Sequence, residues 1–343
     1  MTHGVRILIA GLGAIGQRHA RNLRAIAGDG LELLAYRRRR LPHVVTESLQ
    51  RDDTRNVETE LGLTVFDDLD AALGARPDAV FVCTPSSGHL DIARRAADAG
   101  CHLFIEKPIS HTLDGVEALR DTVAAKKLVA LVGCQWRYHP AIRWLREVLQ
   151  QQTLGPLVRA EIDYGEYLPD WHPYEDYRAS YAARAELGGG VVLTQIHDYD
   201  LAWWLFGAPR TVTATGGHVS DLEIDVEDTV DAQLDGAAVP VTIRQSFASR
   251  PPRRTLSVDG ESGSVTLDLL HGRISSHPRI ASGSAFADYQ RNQMFVDEVR
   301  HFLACLAGEE QPAVPLADGI AVLRVALAVK DAMRTGRAVE VTA

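Results

Sequence analysis

The stretch VRILIAGLGAIGQRHA, residues 5–20, decides the fold. Its apolar run Val5–Ala10 predicts a buried strand, and Ala14–Ile26 predicts the helix that follows. Between them GLGAIG matches G-x-G-x-x-G, which binds dinucleotide phosphates when it connects a strand to a helix. The first glycine allows the tight turn, the second lets the backbone approach a pyrophosphate, and the third allows close helix–strand packing. We therefore predict a dinucleotide site at Gly11, Gly13, Ala14, Ile15 and Gly16.

The alternation of apolar strands and helices continues well beyond this motif. Further strands are predicted at residues 31–36, 63–66, 79–83, 101–105 and 129–133, and further helices at residues 67–73, 89–99 and 113–125. Strands that alternate with helices form a parallel sheet covered on both faces. We therefore predict an α/β Rossmann domain with a doubly wound parallel sheet in residues 1–123.

The second half of the chain has a different pattern. One helix is predicted at residues 140–151, a strand at 158–165, and a single long helix at 188–206. Strand-like runs then follow one another, separated by the predicted turns DGAAVP, SRPPRR and DGESG, and helices at 294–306 and 316–335 close the chain. Consecutive strands with short polar turns pair antiparallel. We therefore predict an α+β domain with a large, mostly antiparallel open sheet in residues 124–343.

Composition excludes several classes of protein. A formal net charge of −9 argues against a nucleic-acid partner, because such proteins normally carry a basic surface. No apolar stretch approaches the roughly 18 residues that a membrane helix needs, and no secretory signal is recognisable. The cysteines stand apart in apolar surroundings, which favours buried free thiols in a reducing compartment. We expect a cytoplasmic protein that binds neither a membrane nor nucleic acid.

The second predicted strand ends without the carboxylate that accepts a hydrogen bond from the ribose 2′-hydroxyl of NAD. Leu31–Tyr36 continues instead into four arginines, residues 37–40. Guanidinium groups suit the 2′-phosphate of NADP, so we expect Arg37 and Arg38 to favour NADP over NAD. The alternative, a solvated run of charges beside an NAD site, stays open.

Several longer segments carry a family resemblance. GLGAIG, followed by DAVFVCTPSSGHLDIARRAADAGCHLFIEKP at residues 78–108, resembles the Gfo/Idh/MocA family of NAD(P)-dependent oxidoreductases. GCQWRYHP at 133–140, GGGVVLTQIHDYDLAWWLFG at 188–207 and residues 295–332 are similar to later elements of that family. The resemblance covers essentially the whole chain and implies that it is an enzyme.

The resemblance implies roles for particular residues. His197 matches the catalytic histidine, and histidine is a suitable base for the proton of an alcohol because it titrates near operating pH. Lys107 matches the lysine of the E-K-P motif, whose ammonium would hydrogen-bond the reacting oxygen of the substrate and stabilise a developing alkoxide. Lys107 and His197 are thus expected to contact the substrate, and Lys107 also the cofactor. Asp200 matches an aspartate that orients the ring or binds substrate. The cofactor contacts implied by the resemblance are Thr84, Pro85, His89 and Glu106.

This sequence departs from the family pattern at one position. Many members place an aspartate three or four residues before the histidine, where this chain has Leu193 and Thr194. Thr194, Asp198 or a water are the alternatives for its role, and a different chemistry stays open too. We include Thr194 among the expected substrate contacts.

Two aromatic-rich segments are candidates for the substrate pocket. Arg137 and Tyr138 lie in the segment that resembles the loop beside the nicotinamide, and Trp171 and Arg178 lie in YLPDWHPYEDYRASYAAR, residues 167–184. Aromatic rings stack on sugars, and arginine binds anionic groups. The alternative is that these residues only pack the segment onto the sheet.

The function predicted from these residues is hydride transfer between NADP, or NAD, and a ring hydroxyl or ketone of a sugar, nucleotide sugar or cyclitol. Two alternatives stay open: an NAD-dependent glycoside hydrolase of the same family, and a non-catalytic regulator that binds the cofactor. No histidine or cysteine pair has convincing metal-ligand spacing, so we expect no metal. We expect a homodimer or homotetramer formed through the open sheet face.

Overall fold

The structure is a computed structural model that describes residues 4–38, 43–278, 280 and 286–342. The chain divides into two compact units. The first unit contains residues 1–133, 172–175 and 295–320, and the second contains residues 134–171, 176–294 and 321–343. Of the predicted arginine run, Arg39 and Arg40 lie outside the described residues.

The first unit is built on a six-stranded parallel sheet of order β5-β2-β1-β6-β7-β8. Its strands are β1 (Val5–Ala10), β2 (Leu31–Tyr36), β5 (Leu63–Phe66), β6 (Ala79–Val82), β7 (His102–Glu106) and β8 (Ala130–Gly133), with a small separate hairpin of β3 (Val44–Val45) and β4 (Arg51–Asp52). Its helices are α1 (Ala14–Ala27), α2 (Val57–Leu61), α3 (Leu69–Gly74), α4 (His89–Asp98) and α5 (Val116–Ala125). The predicted Rossmann domain is confirmed.

Aromatic rings fill the core of this unit. Phe81 on β6 and Phe104 on β7 stack with ring centroids 4.4 Å apart. Phe302 meets both rings edge-on, at 5.3 and 5.6 Å. It lies on α9 (Asn292–Leu306), which, like α10 (Leu316–Thr335), contains residues of both units. Strands β6 and β7 read as continuous apolar runs because their residues are buried on both faces of the sheet.

The second unit is built on an eight-stranded sheet of order β15-β14-β13-β9-β12-β11-β10-β16. Its strands are β9 (Leu157–Tyr167), β10 (Thr211–Gly217), β11 (Thr229–Asp235), β12 (Val241–Ser246), β13 (Ala248–Gly260), β14 (Gly263–Asp268), β15 (Arg273–His277) and β16 (Val339–Glu340). Every neighbouring pair is antiparallel except β9 with β12. The predicted mostly antiparallel sheet is confirmed.

Three helices of the second unit precede the C-terminal part of α10. They are α6 (Pro140–Gln150), α7 (Val191–Thr194) and α8 (His197–Phe206). The helices α7 and α8 pack against β11 and β12. This position puts the segment with His197 against the buried face of the sheet.

The predicted turn at SRPPRR is wrong, because these residues lie inside β13. The pairing of β13 with β9 shifts register between Ala248 and Arg253. Pro251 and Pro252 lie within that irregular stretch, where a residue without an N–H does not interrupt a regular ladder. A bulge therefore accommodates the sequence that we expected to end a strand.

The single helix predicted at residues 188–206 is also wrong. The chain forms α7 and α8 with a break at Gln195 and Ile196. The carbonyl oxygen of Gln195 accepts a hydrogen bond from the side chain of Gln245 at 2.8 Å, in addition to one from the N–H of Asp198. This contact from β12 occupies the carbonyl oxygen of Gln195 at the break. The helix starts again at His197, which is the first residue of α8.

The division between the units differs from the boundary that we predicted after residue 123. Strand β8 pairs with β7 and so belongs to the parallel sheet, which carries the first segment of this unit to Gly133. The four cysteines are buried free thiols, as the sequence predicts. None of the described helices is long and apolar enough to cross a membrane.

Candidate active site

Two of the three motif glycines, Gly11 and Gly16, occupy positions where a larger residue would collide with the backbone. Gly11 has a φ of +105°, and a Cβ there would lie 2.7 Å from the carbonyl oxygen of Cys83. A Cβ on Gly16 would collide with the carbonyl oxygen of Gly11. At Gly13, by contrast, a Cβ would meet nothing within 4 Å. The loop therefore leaves open space at the glycine that the motif assigns to close approach of a pyrophosphate.

The helix that follows is suited to an anion. α1 begins at Ala14 with Gly13 as its N-cap, no side chain caps it, and its first turn contains no acidic residue. The unpaired N–H groups and the positive end of the helix dipole attract negative charge. The glycine loop with Ala14 and Ile15 fits a dinucleotide phosphate on this geometry.

His89 joins two loops at the carboxyl edge of the parallel sheet. Its Nε2 lies 2.7 Å from the carbonyl oxygen of Thr84, and its Nδ1 lies 2.7 Å from that of Pro108. Burial lowers the pKa of His89, although the two carbonyls act in the opposite direction. The ring therefore ties the Thr84–Pro85 loop to the residue that follows Lys107.

Glu106 is held by a buried partner on α1. Its Oε1 lies 2.7 Å from Nε2 of His19, whose ring is fully buried against the rings of Phe81 and Phe104. Its Oε2 accepts the backbone N–H of Lys107 at 3.2 Å. Glu106 thus connects the phosphate-binding helix to the backbone of the E-K-P lysine.

The two described arginines after β2 differ in their surroundings. The guanidinium of Arg37 is buried and forms an ion pair with Glu58. Arg38 is exposed, and its Nε donates to the hydroxyl of Tyr36 at 3.2 Å. Of these two arginines, Arg38 is therefore the one that is exposed and does not form an ion pair with Glu58.

In the second unit, His197 is 5% exposed and contacts Gln135. The side-chain nitrogen of Gln135 lies 3.3 Å from Nε2 of the histidine. Thr194 is buried at the last position of α7, before the break. The position of His197 in the first turn of α8 follows from that break.

Arg137 and Asp200 form a buried ion pair. The side chains are 2% and 1% exposed, and Nε and Nη2 of the arginine bind the carboxylate at 2.6–3.1 Å. The guanidinium also lies over the ring of Trp204, 5.6 Å from its centroid. These two predicted site residues are brought together, and each neutralises the charge of the other.

Arg254 on β13 organises a second buried network. It binds the side-chain oxygen of Gln195 at 2.7 Å and lies 3.5 Å from Asp198, with its guanidinium between the rings of Trp136 and Tyr164. Burial raises the pKa of Asp198, and the positive charge of Arg254 acts against that rise. Asp198 also accepts from Gln245 at 2.7 Å. The carboxylate next to His197 is therefore already bound.

Glu227 fixes the start of α7. Its carboxylate accepts from Lys330 on α10 at 2.9 and 3.1 Å and from the N–H of Val192 at 3.3 Å. Gly190 has a φ of +98°, and a Cβ there would collide with that carboxylate. The glycine turn before α7 is thus fixed by Glu227, which is bound in turn by Lys330, 103 residues further along the chain.

The remaining predicted pocket residues are Tyr138, Trp171 and Arg178. Tyr138 is buried, with the guanidinium of Arg143 over its ring. Trp171 packs edge-on against Phe247, with centroids 5.1 Å apart. Arg178 is exposed and binds Asp176 and Glu223. Among the described residues, no group of three histidine, cysteine or acidic side chains could hold a metal ion.

Two family models match this chain. The model described as "Oxidoreductase family, NAD-binding Rossmann fold" matches residues 5–134, and that of the GFO/IDH/MocA C-terminal domain matches residues 142–266. The chain belongs to the Gfo/Idh/MocA family. It is an NAD(P)-dependent oxidoreductase with the nucleotide site on the first unit.

Relatives of this Gfo/Idh/MocA protein match along its whole length. It is 28% identical to scyllo-inositol 2-dehydrogenase (NAD(+)) of Bacillus subtilis, covering 99% of this chain and 97% of the relative. It is 26% identical to UDP-N-acetylglucosamine 3-dehydrogenase of Acidithiobacillus ferrooxidans, covering 96% and 97%. The crystal structure of the WlbA dehydrogenase from Bordetella pertussis, in complex with NADH and UDP-GlcNAcA, shares the fold with a TM-score of 0.82, at 23% identity over 99% of each chain.

The sequence analysis did not identify four residues that make buried contacts in the segments of this Gfo/Idh/MocA protein described above: His19 in the first unit, and Gln135, Glu227 and Lys330 in the second. Each acts through a partner more than 60 positions away, so no local pattern marks it. The scarcity of lysine was the one available signal, since Lys330 is one of only four lysines in the chain.

Proposed function

We propose that this chain transfers hydride between a nicotinamide cofactor and a ring hydroxyl or ketone of a sugar, nucleotide sugar or cyclitol. The observation that carries the proposal is that the histidine and the lysine of the family pattern are both present and both supported by buried contacts. Gln135 touches His197, and Glu106, itself bound to His19, accepts from the backbone of Lys107. The named relatives act on an inositol and on a nucleotide sugar, which supports this substrate class.

The proposed chemistry assigns one task to each residue. His197 takes the proton from the hydroxyl group, and its position in a buried first turn excludes bulk water from the ring. Lys107 donates a hydrogen bond to the same oxygen and stabilises its negative charge as the proton leaves. The bound nicotinamide supplies the hydride acceptor or donor.

A substrate panel tests the proposed reaction. Inositols, free sugars and UDP-sugars are incubated with NAD or NADP, and the absorbance of the reduced nicotinamide is followed at 340 nm. We expect net formation of reduced cofactor with at least one compound. Release of sugar from a glycoside without any net change in absorbance would favour the glycosidase alternative, and no turnover of any compound would contradict the proposal.

Replacement of the two residues should separate their tasks. Lys107→Ala should lower kcat by about 100-fold or more, by analogy with the loss of one electrostatic stabiliser, and should leave dinucleotide affinity nearly unchanged. His197→Ala should abolish the limb of the pH–rate profile that reports the base. Near-normal turnover of the lysine variant, or an unaltered profile of the histidine variant, would contradict the assignment.

We propose NADP as the preferred cofactor, with Arg38 as its 2′-phosphate contact. Strand β2 ends without a carboxylate, and Arg38 is exposed while Arg37 is neutralised by Glu58. Arg38→Ala should weaken NADP binding about 10- to 100-fold, the equivalent of one charge-assisted hydrogen bond, and leave NAD binding unchanged. Arg55→Ala, which removes an exposed arginine paired with Glu60, is the control. Tighter binding of NAD than NADP by the unmodified protein would refute this preference.

A second copy of the chain is the proposed partner, held through the outer face of the eight-stranded sheet. This face carries polar side chains that are exposed or half-buried, including Glu161, Asp231, Thr242 and Arg244. Arg244 on β12 lies within 4 Å of Glu161 on β9 and of Asp231 on β11, so charges on this face are paired across neighbouring strands. Light scattering after gel filtration measures the mass, and a monomer at micromolar concentration would refute the assembly. The four buried free thiols favour a cytoplasmic location for this protein, because thiols stay reduced in that compartment.

A further inference from the structure

We propose that Gln135 is the positioning residue for His197, and that its carboxamide does in this chain what a carboxylate before the histidine does in other family members. The proposal rests on the proposed function of His197 as the base. It assigns a role to a residue outside the helix that carries the histidine, 62 positions earlier in the chain.

The geometry singles out Gln135 among the candidates for this role. Its amide nitrogen lies 3.3 Å from Nε2 of His197, and both side chains are 5% exposed. Asp198, the carboxylate next to the histidine in the sequence, is bound by Gln245 at 2.7 Å and faces Arg254. Gln135, in contrast, directly contacts the ring.

The chemistry of a carboxamide defines which form of the ring is active. With its amino group toward the ring, Gln135 donates to the lone pair of Nε2, so that a neutral ring carries its proton on Nδ1 and has no basic nitrogen to offer. With its oxygen toward the ring, Gln135 accepts the Nε2 proton and leaves Nδ1 as the base. The two orientations have the same shape and exchange by rotation of the amide. The second orientation is the one that permits catalysis.

The other end of the same carboxamide points to a substrate contact. Oε1 of Gln135 is buried without a hydrogen-bond partner among the described residues, and rotation of the amide places the amino group there instead. A buried polar group without a partner destabilises the unbound protein, and a ligand that supplies the partner recovers that free energy. A polyol hydroxyl can serve as donor or acceptor, so it satisfies this atom when bound.

Two buried ion pairs involve the helix that carries His197. Asp200 on α8 binds Arg137, which lies in the same turn as Gln135, and Asp198 on α8 lies 3.5 Å from Arg254 on β13, where Asp163 and Glu166 add negative charge. A substitution at position 135 removes none of these charged groups. A shift in the titration of His197 in a Gln135 variant therefore reports the group at position 135.

Three variants test the proposal by kinetics. Gln135→Met keeps the length of the side chain and removes both polar atoms, so we expect kcat to fall about 10- to 100-fold and KM to rise, with the affinity for the cofactor unchanged. Gln135→Glu provides an acceptor and adds a negative charge, which favours the protonated ring. We therefore expect partial activity, and we expect the limb of the pH–rate profile that reports the base to move at least one pH unit higher. Gln150→Met, the same change at an exposed site on α6, is the control. Wild-type kcat and profile in Gln135→Met, or an unshifted limb in Gln135→Glu, would overturn the proposal.

A measurement without substrate separates this proposal from the proposed function. In protein labelled with ¹⁵N-histidine, the His197 signals are identified by their loss in His197→Ala. We expect the Nε2–H tautomer at neutral pH in the unmodified protein and a change of tautomer population in Gln135→Met. The Nδ1–H tautomer in the unmodified protein would overturn the proposal even if sugars are oxidised. The expected tautomer without any turnover would instead refute only the reaction.

Discussion

Replacement of Asp200 by leucine should destabilise the second unit by about 3–5 kcal/mol, because it leaves the Arg137 guanidinium buried without its counter-charge. Both side chains are 2% exposed or less, and the guanidinium binds the carboxylate through two nitrogens at 2.6–3.1 Å. The cost therefore belongs to an unpaired buried charge rather than to a surface ion pair, which would contribute only about 0–1 kcal/mol. The double variant Asp200→Leu with Arg137→Met removes both charges and should recover most of the loss.

Equilibrium unfolding in urea measures this cycle. Trp204 lies against the Arg137 guanidinium, so tryptophan fluorescence reports the affected region directly. For a unit of this size the urea slope is about 2–3 kcal/mol per molar, which converts the expected loss into a midpoint shift of about 1–2.5 M. A shift equivalent to less than 1 kcal/mol, or a double variant as unstable as the single, would refute the reasoning.

The conservative variant separates a structural role for Asp200 from the catalytic role that the family pattern implies. Asp200→Asn keeps the shape and one oxygen acceptor for Arg137 but removes the negative charge. If Asp200 acts on the chemistry through His197, three positions earlier on α8, kcat should fall by more than the decrease in the folded fraction of the enzyme accounts for. If its main task is to neutralise Arg137, the variant should lose stability and keep the pH–rate profile.

Two further predictions concern the glycine loop and a buried histidine. Gly13→Ala should keep the melting temperature and weaken dinucleotide binding about 10- to 100-fold, since its Cβ points into open space where a phosphate would approach, whereas Gly16→Ala should lower the melting temperature through the collision with Gly11. Calorimetry and titration measure both, and normal binding by Gly13→Ala would contradict the placement of the phosphate. Burial, aided by the positive charge of Arg254, lowers the pKa of His139 from 6.5 to about 4. The neutral ring therefore contributes stability that is complete above pH 6.5 and is lost as the pH falls toward 4, about 3 kcal/mol in all. His139→Asn preserves an N-cap for Ala141 and should flatten the stability profile between these pH values, and an unchanged slope would show that other groups cause it.

The parallel sheet could be predicted because its information is local. Each strand is a short run of apolar residues, and burial on both faces is what makes the run continuous. The errors occur where a distant side chain or a bulge decides the backbone. The prolines at 251 and 252 sit inside β13 because its partner strand tolerates the shifted register. The helix at 188–206 breaks because Gln245, 50 positions later, takes the carbonyl of Gln195.

The same distinction applies to the site. Lys107 and His197 could be named from motifs, since each stands in a segment of recognisable spacing. Their partners could not be named, because hydrogen bonds that join positions 19 with 106 or 135 with 197 leave no periodic trace in the sequence. Whether the arginines after β2 bind a 2′-phosphate was ambiguous for the same reason: their partners are distant in the sequence. Only the ion pair with Glu58 distinguishes Arg37 from Arg38.

The buried polar contacts also divide the site by task. The contacts around the cofactor loop and Lys107, which involve His19, His89 and Glu106, all lie within the first unit. Those around His197 lie within the second unit and end in Gln135 and Arg254. A functional side chain is oriented by groups that are themselves locked by packing, and each of these two sets of contacts is complete within one unit. Substitutions in the first set should therefore change dinucleotide affinity, and those in the second should change proton transfer while that affinity stays constant.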